Sequence, residues 1–190
     1  MASTENRKSE IITTASKLFK NKGYSAVTMR DLAQAMGIKA ASLYNHIESK
    51  QAILEFIIIN IAEQFTYGME SILNSNLNTI QKLEAIIKMH VNLANQNPEG
   101  MAALNNDWMH LEEKRTYYLE LRQQYESNFK FIIDQGIANS ELKNINPDVA
   151  VFSILSTLRL LHLWIPKKEL LNVNELCLAL SEVLIGGINK

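Results

Sequence analysis

Apolar residues recur along this chain at helical spacing from near its start to near its end. Ile11, Ile12, Ala15, Leu18 and Phe19 form one stripe, with Lys17, Lys20 and Lys22 off it. Gly23 is placed to close that helix. Thr28 offers a hydroxyl cap to a second helix that carries Leu32, Ala33 and Met36 inward, and Gly37 ends it after barely two turns. A third short helix is predicted from about Lys39 to His46, with Leu43 and Ile47 as its apolar side. Ser49 can cap a long fourth helix running from Gln51 toward Ile72.

After the polar residues 74–78, a fifth stripe runs through Ile80, Leu83, Ile87, His90, Val91 and Ala94 and closes at Asn97-Pro98. A short piece with Met101, Ala102 and Leu104 leads to Trp108-Met109-His110. Tyr118, Leu121, Tyr125, Phe129, Ile132 and Ile133 line a long helix ending near Gly136. Asn146-Pro147-Asp148 starts the next, with Asn as cap and Pro at the first position, and Pro166 stops it. A final helix runs from about Val173 to Ile188. No run alternates with period two, and no internal repeat is present. The predicted class is all-α with about nine helices.

Composition narrows this little. An apolar fraction of 47% and a charged fraction of 21% are those of a folded protein, and 190 residues suffice for one or two domains. The lone Cys177 excludes an intramolecular disulfide framework. Residues 1–10 are polar with no apolar run behind them, and 149–165 is interrupted by Ser153, Ser156, Thr157, Arg159 and His162. A soluble, cytoplasmic protein without a membrane partner is expected. Charge changes the picture more. Residues 1–50 hold eight basic and four acidic side chains, net +4, whereas the other 140 carry −5. A basic head on an acidic body suggests a polyanion-binding module joined to something else.

Two short helices around a tight glycine turn, the second rich in small residues, form a helix-turn-helix pattern. Ala40, Ala41 and Ser42 would let a helix backbone approach the major-groove floor, and Tyr44, Asn45 and His46 supply reach. The same spacing also fits a small three-helix core with a polar face. In the last helix Val173, Leu176, Cys177, Leu180, Leu184 and Ile188 form one stripe, while Leu178, Ala179, Val183 and Ile185 fall off it. A helix apolar on more than one face must be buried on more than one face. A second copy of the chain would do this, with Leu155, Leu158, Leu176, Leu180 and Leu184 as the expected dimer interface; a central helix pair in a monomer is the alternative.

His46, His90, His110 and His162 show no metal-ligand spacing, and neither a phosphate loop nor a nucleophile–base pair is legible, so no metal, cofactor or catalytic residue is expected. His90 and His162 fall within apolar stripes. They fit hydrogen-bonded core histidines, or polar fixtures of a ligand pocket that Met69, Met89, Met101, Trp108, Met109, Phe131 and Trp164 could line. Each of these also fits as plain core.

Gly23-Tyr24, Val27-Thr28, Asp31-Leu32-Ala33, Met36-Gly37-Ile38, Ser42-Leu43-Tyr44, His46 and the run from Ser49 to Leu54 together resemble the DNA-binding domain of the tetracycline-repressor (TetR) family. The match covers roughly residues 6–60. It implies domains at 1–50, for DNA, and 51–190, for ligand binding and dimerisation, with helix four (about 51–73) connecting them. It further implies Thr28, Tyr44 and Lys50 as phosphate contacts, Lys39, Ala40, Ser42 and Asn45 facing bases, and Arg30 and His46 able to do either. Lys39 departs from the usual capping Ser or Thr, and Ile47 from the usual Phe. More diffusely, His90 to Glu99, 119–125, Gly136-Ile137-Ala138 and 146–164 are similar to a subgroup that includes regulators of fatty-acid and sterol breakdown whose ligands are acyl-coenzyme A thioesters. Ser140, often Gly there, and Leu160-Leu161, often aromatic, depart from it. The resemblance implies a homodimeric repressor on a palindromic operator in double-stranded DNA, released by a small, acyl-CoA-like effector. A ligand-independent regulator or activator is the alternative, and a helical-bundle enzyme a remoter one.

Overall fold

The computed structural model describes residues 2–168 and 172–188, with side chains from residue 6 onward. Among these, the regular elements are helices and no extended strand occurs: α1 (Ala2–Lys22), α2 (Met29–Ala35), α3 (Ala40–Tyr44), α4 (Lys50–Leu73), α5 (Thr79–Gln96), α6 (Pro98–Asn106), α7 (Arg115–Ala138), α8 (Pro147–Arg159), α9 (Leu161–Trp164) and α10 (Val173–Gly186). Single 3₁₀ turns sit at Trp108–His110 and Ile165–Lys167. The expected all-α class stands, and the count of nine holds if the one-turn α9 is taken with α8.

The boundaries follow local chemistry. Gly23 closes α1 with φ +81°, donating its N–H to the Phe19 carbonyl at 2.8 Å. Thr28 caps α2 in a reciprocal box: its hydroxyl accepts from the Asp31 N–H, and the Asp31 carboxylate accepts from the Thr28 N–H at 2.8 Å. Asn78 and Gln81 repeat that box at α5, and Asn146 caps α8 ahead of Pro147. Lys39 stands at the cap position of α3 and makes no capping bond, as its side chain dictates. The third helix ends at Tyr44, with Asn45 as its C-cap, so His46 lies beyond it, short of the predicted limit.

The chain divides into two compact units, Met1–Ile61 with Glu99–Tyr118, and Ala62–Pro98 with Leu119–Lys190. The first unit holds residues 1–50 and continues to Ile61 along α4, the helix expected to connect the two domains. The first unit buries Ile11, Phe19, Leu32, Leu43, Ile53 and Leu54. In the second, α8, α9 and α10 pack on α5, whose inner face is Leu83, Ile86, Ile87 and Val91. Gly136 on α7 makes one close approach possible, since a Cβ there would lie 2.5 Å from Thr79 Cγ2 and 2.8 Å from Leu142. Pro147–Lys167 is apolar enough by composition to cross a membrane, but it comprises α8, α9 and a 3₁₀ turn, and its Arg159 pairs with Glu126 at 2.6 Å.

Candidate nucleic-acid interface and candidate ligand unit

In the first unit Leu43 is fully buried while its neighbour Tyr44 is 56% exposed, so α3 turns one side to the core and the other outward. Arg30, Lys39, Ala41 and Asn45 are exposed as well; Ala40, Ser42 and His46 are half-buried, and His46 Nδ1 is buried without a hydrogen-bond partner. Thr28 is exposed, but its hydroxyl is engaged with Asp31 in both directions, which holds the Asp31 carboxyl below the usual range. A face carrying a guanidinium, an ammonium, a phenol and an amide around small residues can bind phosphates and base edges.

Lys50 differs from the exposed Arg30 and Lys39. Its half-buried ammonium donates to the carbonyls of Tyr24 (2.9 Å) and Val27 (2.8 Å) and lies 4.2 Å from the centre of the Tyr24 ring. That ring meets Phe19 edge-on at 5.2 Å and stacks on His110 at 5.3 Å. The Tyr24 hydroxyl donates to Gln51 Oε1 at 2.7 Å, and Gln51 Nε2 donates to the His110 carbonyl at 3.0 Å. Burial, and then the charges of Glu112, Glu55 and Asp107, push the Tyr24 phenol up. Burial likewise raises Asp107, against the pull of His110 and of the Tyr24 N–H that its carboxylate accepts. Sequence reasoning missed Tyr24, Gln51 and His110, because backbone carbonyl acceptors and partners 26 to 59 residues apart leave no local pattern.

The nine candidate pocket residues do not gather in one unit: Met101, Trp108 and Met109 belong to the first, and Met69, Met89, His90, Phe131, His162 and Trp164 to the second. Met69 and His162 are fully buried and His90 nearly so, whereas Met109, Phe131 and Trp164 are exposed. His162 Nδ1 donates to the Arg159 carbonyl at 2.8 Å. His90 Nε2 and the Tyr125 hydroxyl are hydrogen-bonded at 2.8 Å, with the Phe65 ring 4.4 Å from the imidazole. Burial, then the charge of Arg159, depresses the His90 pKa to about 3, and burial raises the Tyr125 phenol. The imidazole is thus neutral at physiological pH. Burial pushes Glu126 up, but hydrogen bonds from Arg159 and Arg122 overrule it and hold the carboxyl down. Among the described residues no cluster of three or more His, Cys, Asp or Glu side chains could hold a metal.

The expected interface residues mostly face inward. Leu155, Leu158 and Leu176 are buried within the single chain, and Leu180 and Leu184 half-buried. The other faces of the same helices are open: Val149, Phe152 and Leu160 at 57–72% exposure, Leu178 at 72% and Val183 at 74%. Both helices have the two apolar faces that the sequence shows, one largely covered within the chain and one open. Ser156, Thr157, Leu160, Leu161, Trp164, Leu176 and Leu180 line an open groove of about 450 Å³.

Comparison with known proteins agrees with this architecture. Residues 11–57 match the description "Bacterial regulatory proteins, tetR family", and residues 76–188 match "Tetracyclin repressor-like, C-terminal domain". The transcriptional repressor KstR2 of Rhodococcus jostii is 26% identical over 140 residues, which are 73% of this chain and 69% of that protein. The structure of the ketosteroid transcriptional regulator KstR2 of Mycobacterium tuberculosis superposes with TM-score 0.91 at 20% identity, covering 97% of this chain and 95% of that one. That of AibR in complex with isovaleryl coenzyme A and operator DNA superposes with TM-score 0.79 at 20% identity, covering 93% and 97%. With the C-terminal description spanning more than half of the sequence and the helix-turn-helix description the remainder of the match, the chain belongs to the TetR family of DNA-binding transcription regulators.

Proposed function

We propose that this regulator acts as a homodimeric repressor that occupies a palindromic operator and is released by an acyl-coenzyme A-type effector, in the cytoplasm where its DNA lies. The observation that carries the dimer is the open apolar face on α8 and α10, with Phe152, Leu178 and Val183 each more than 70% exposed. A reading helix of five residues touches few bases, and pairing two of them across a two-fold axis doubles the reading length. On each half-site Tyr44 and Lys50 are the phosphate contacts, Lys39, Ala40, Ser42 and Asn45 face bases, and Arg30 and His46 serve either role. Thr28 orients α2 and meets phosphate only if its hydroxyl leaves Asp31.

The acyl-CoA class is supported by the similarity to AibR, whose structure holds isovaleryl coenzyme A. An effector releases DNA only through different affinities for the DNA-competent and incompetent states of the dimer. The test is selection of bound duplexes from a random pool, followed by titration of isovaleryl-, octanoyl- and palmitoyl-CoA with free coenzyme A as control. Release by an acyl thioester and not by coenzyme A supports the reading. Duplex retention throughout favours the ligand-independent regulator.

A further inference from the structure

We propose that His90 and Tyr125 together anchor the thioester head of the effector, reading its carbonyl oxygen inside the second unit. The inference rests on the acyl-thioester reading above and names the residues and the oxygen through which that class is recognised.

The pair sits among aromatic rings. His90 comes from α5 and Tyr125 from α7, and both are buried, at 3% and 7% exposure. The Phe65 ring of α4 lies 4.4 Å from the imidazole and meets Tyr125 edge-on at 5.8 Å. Phe129, one turn further along α7, meets the Tyr125 ring edge-on at 6.5 Å. Met69, one turn beyond Phe65 on α4, is fully buried. All five residues belong to the second unit.

Hydrogen-bond accounting leaves the pair half satisfied. A neutral imidazole has one donor and one acceptor, and a phenol can both donate and accept. The bond between His90 Nε2 and the Tyr125 hydroxyl uses one donor and one acceptor. Among the described residues, none is within hydrogen-bonding reach of the buried His90 Nδ1. If the tyrosine donates, Nδ1 carries the spare proton and the phenol oxygen the spare lone pair. If Nε2 donates, the phenol carries the spare proton and Nδ1 the spare lone pair. Either tautomer leaves one donor and one acceptor side by side, away from water. Protonation does not resolve this, because burial keeps the imidazole neutral. Leaving such groups unpaired in an interior is costly, and folded proteins keep few of them.

The complement is a small polar unit with one acceptor and one donor on an apolar body. The head of an acyl-coenzyme A is such a unit. Its thioester carbonyl accepts, the nearest amide N–H of the pantetheine arm donates, and a hydrocarbon chain lies beyond. A free fatty acid would bring an unpaired carboxylate into the same apolar surroundings and is selected against. Seating the head requires α4, α5 and α7 to repack around it, and the adaptable Met69 thioether is the side chain most able to yield. A ligand that binds only the repacked state shifts the balance between states, as release from DNA requires.

The test sets thioesters against thioethers. Isovaleryl-, octanoyl- and palmitoyl-CoA are titrated calorimetrically into the full chain, each beside the S-alkyl-CoA of the same chain, which lacks the carbonyl oxygen. The proteins are wild type, Tyr125→Phe and His90→Leu/Tyr125→Phe. Wild type should bind a thioester about tenfold more tightly than its thioether. The double variant should bring that ratio near one with the thioether affinity kept, and Tyr125→Phe should fall between. DNA affinity without effector should be unchanged in both variants, which a merely structural role would not ensure. In nitrogen-15 spectra of wild type, the assigned His90 ring signals should move with the thioester and stay with the thioether, and this measurement decides if a variant does not fold. A wild-type ratio near one, a ratio that survives the double variant, equal loss of both ligands, or an unmoved His90 signal overturns the proposal. Failure of every thioester and thioether to bind wild type removes the acyl-thioester reading and this inference together. Binding without discrimination strikes the inference alone.

Discussion

The first unit turns Arg30, Lys39, Tyr44 and Asn45 outward and keeps the Lys50 ammonium among carbonyls and rings, while the second buries His90 and His162 and turns Phe152, Leu178 and Val183 outward. Outward polarity in the one suits a hydrated, charged partner, and outward hydrophobicity in the other suits an apolar one. The interiors differ too. Lys50 is half-buried and bound to carbonyls, whereas burial depresses the His90 pKa far enough to keep its imidazole neutral. In each unit the exposed face meets the partner.

The largest test sets two faces of the same helices against each other. Leu158 has no exposed surface, so Leu158→Glu buries a carboxylate with no prepared partner and should unfold the second unit, at a cost of several kcal/mol. The double variant Leu178→Glu/Val183→Glu lies at 72% and 74% exposure, and its monomer should keep its fold. It should nevertheless sediment as a monomer at micromolar concentration and lose operator binding, because an apolar contact of at least about 1,000 Å² would have to bury like charges. A folded, dimeric double variant would break the contrast.

That contrast also marks where the sequence was readable. Thr28 with Asp31, and Gly23 and Gly37 at positive φ, are signals within four residues of the turn they make, so the first three helices are legible, although the third ends at Tyr44 and not at His46. In α8 and α10 two apolar stripes share one helical period. Periodicity states that both faces are buried somewhere, but not which one packs on α5. Leu176, expected at a partner, is buried within the chain, and Leu178, on the other stripe, is 72% exposed. Membership of Glu99–Tyr118 in the first unit was unreadable for another reason. Its contacts to Tyr24 and Gln51 run over long sequence separation and partly to backbone atoms.

The buried histidine makes a second, smaller difference between the units. The His90 pKa falls from 6.5 to about 3 on folding, so the unfolded chain binds the extra proton over that interval. Stability is then full above the unfolded value and declines as pH drops below it. Between pH 7 and pH 5 the loss should be about 2 kcal/mol from this group. The double replacement His90→Leu/Tyr125→Phe removes both hydrogen-bonding partners and should flatten that part of the profile. Denaturant melts of both proteins at the two pH values decide it; an equal acid loss in the double variant would place the sensitive group elsewhere.

Two glycines separate a need for space from a need for backbone freedom. In the second unit Gly136→Ala forces a methyl against Thr79 and Leu142 and should cost about 1–3 kcal/mol. In the first, a Cβ at Gly23 meets nothing within 4 Å, so Gly23→Ala carries only the strain of φ +81°, about 1 kcal/mol. Denaturant midpoints should rank them in that order. Gly136→Asn should be worse than alanine, whereas Gly23→Asn, which tolerates the left-handed region, should recover stability.

The smallest effect sharpens the same point at a serine. Ser140 follows α7 and adopts φ +60°, where the first unit uses Gly23 and Gly37. Its N–H donates to the Ile137 carbonyl at 3.0 Å, and the next two N–H groups both reach the Gly136 carbonyl at 2.9 Å, so the turn cannot relax φ without losing these bonds. A side chain in that region costs roughly 1–2 kcal/mol. Glycine removes this strain but adds freedom to the unfolded chain, which returns about half of the gain. Ser140→Gly should therefore stabilise the protein by about 0.5–1 kcal/mol, with no change in DNA affinity, since the residue belongs to the second unit. A lower denaturation midpoint would mean that the serine side chain contributes more at this turn than its backbone strain costs.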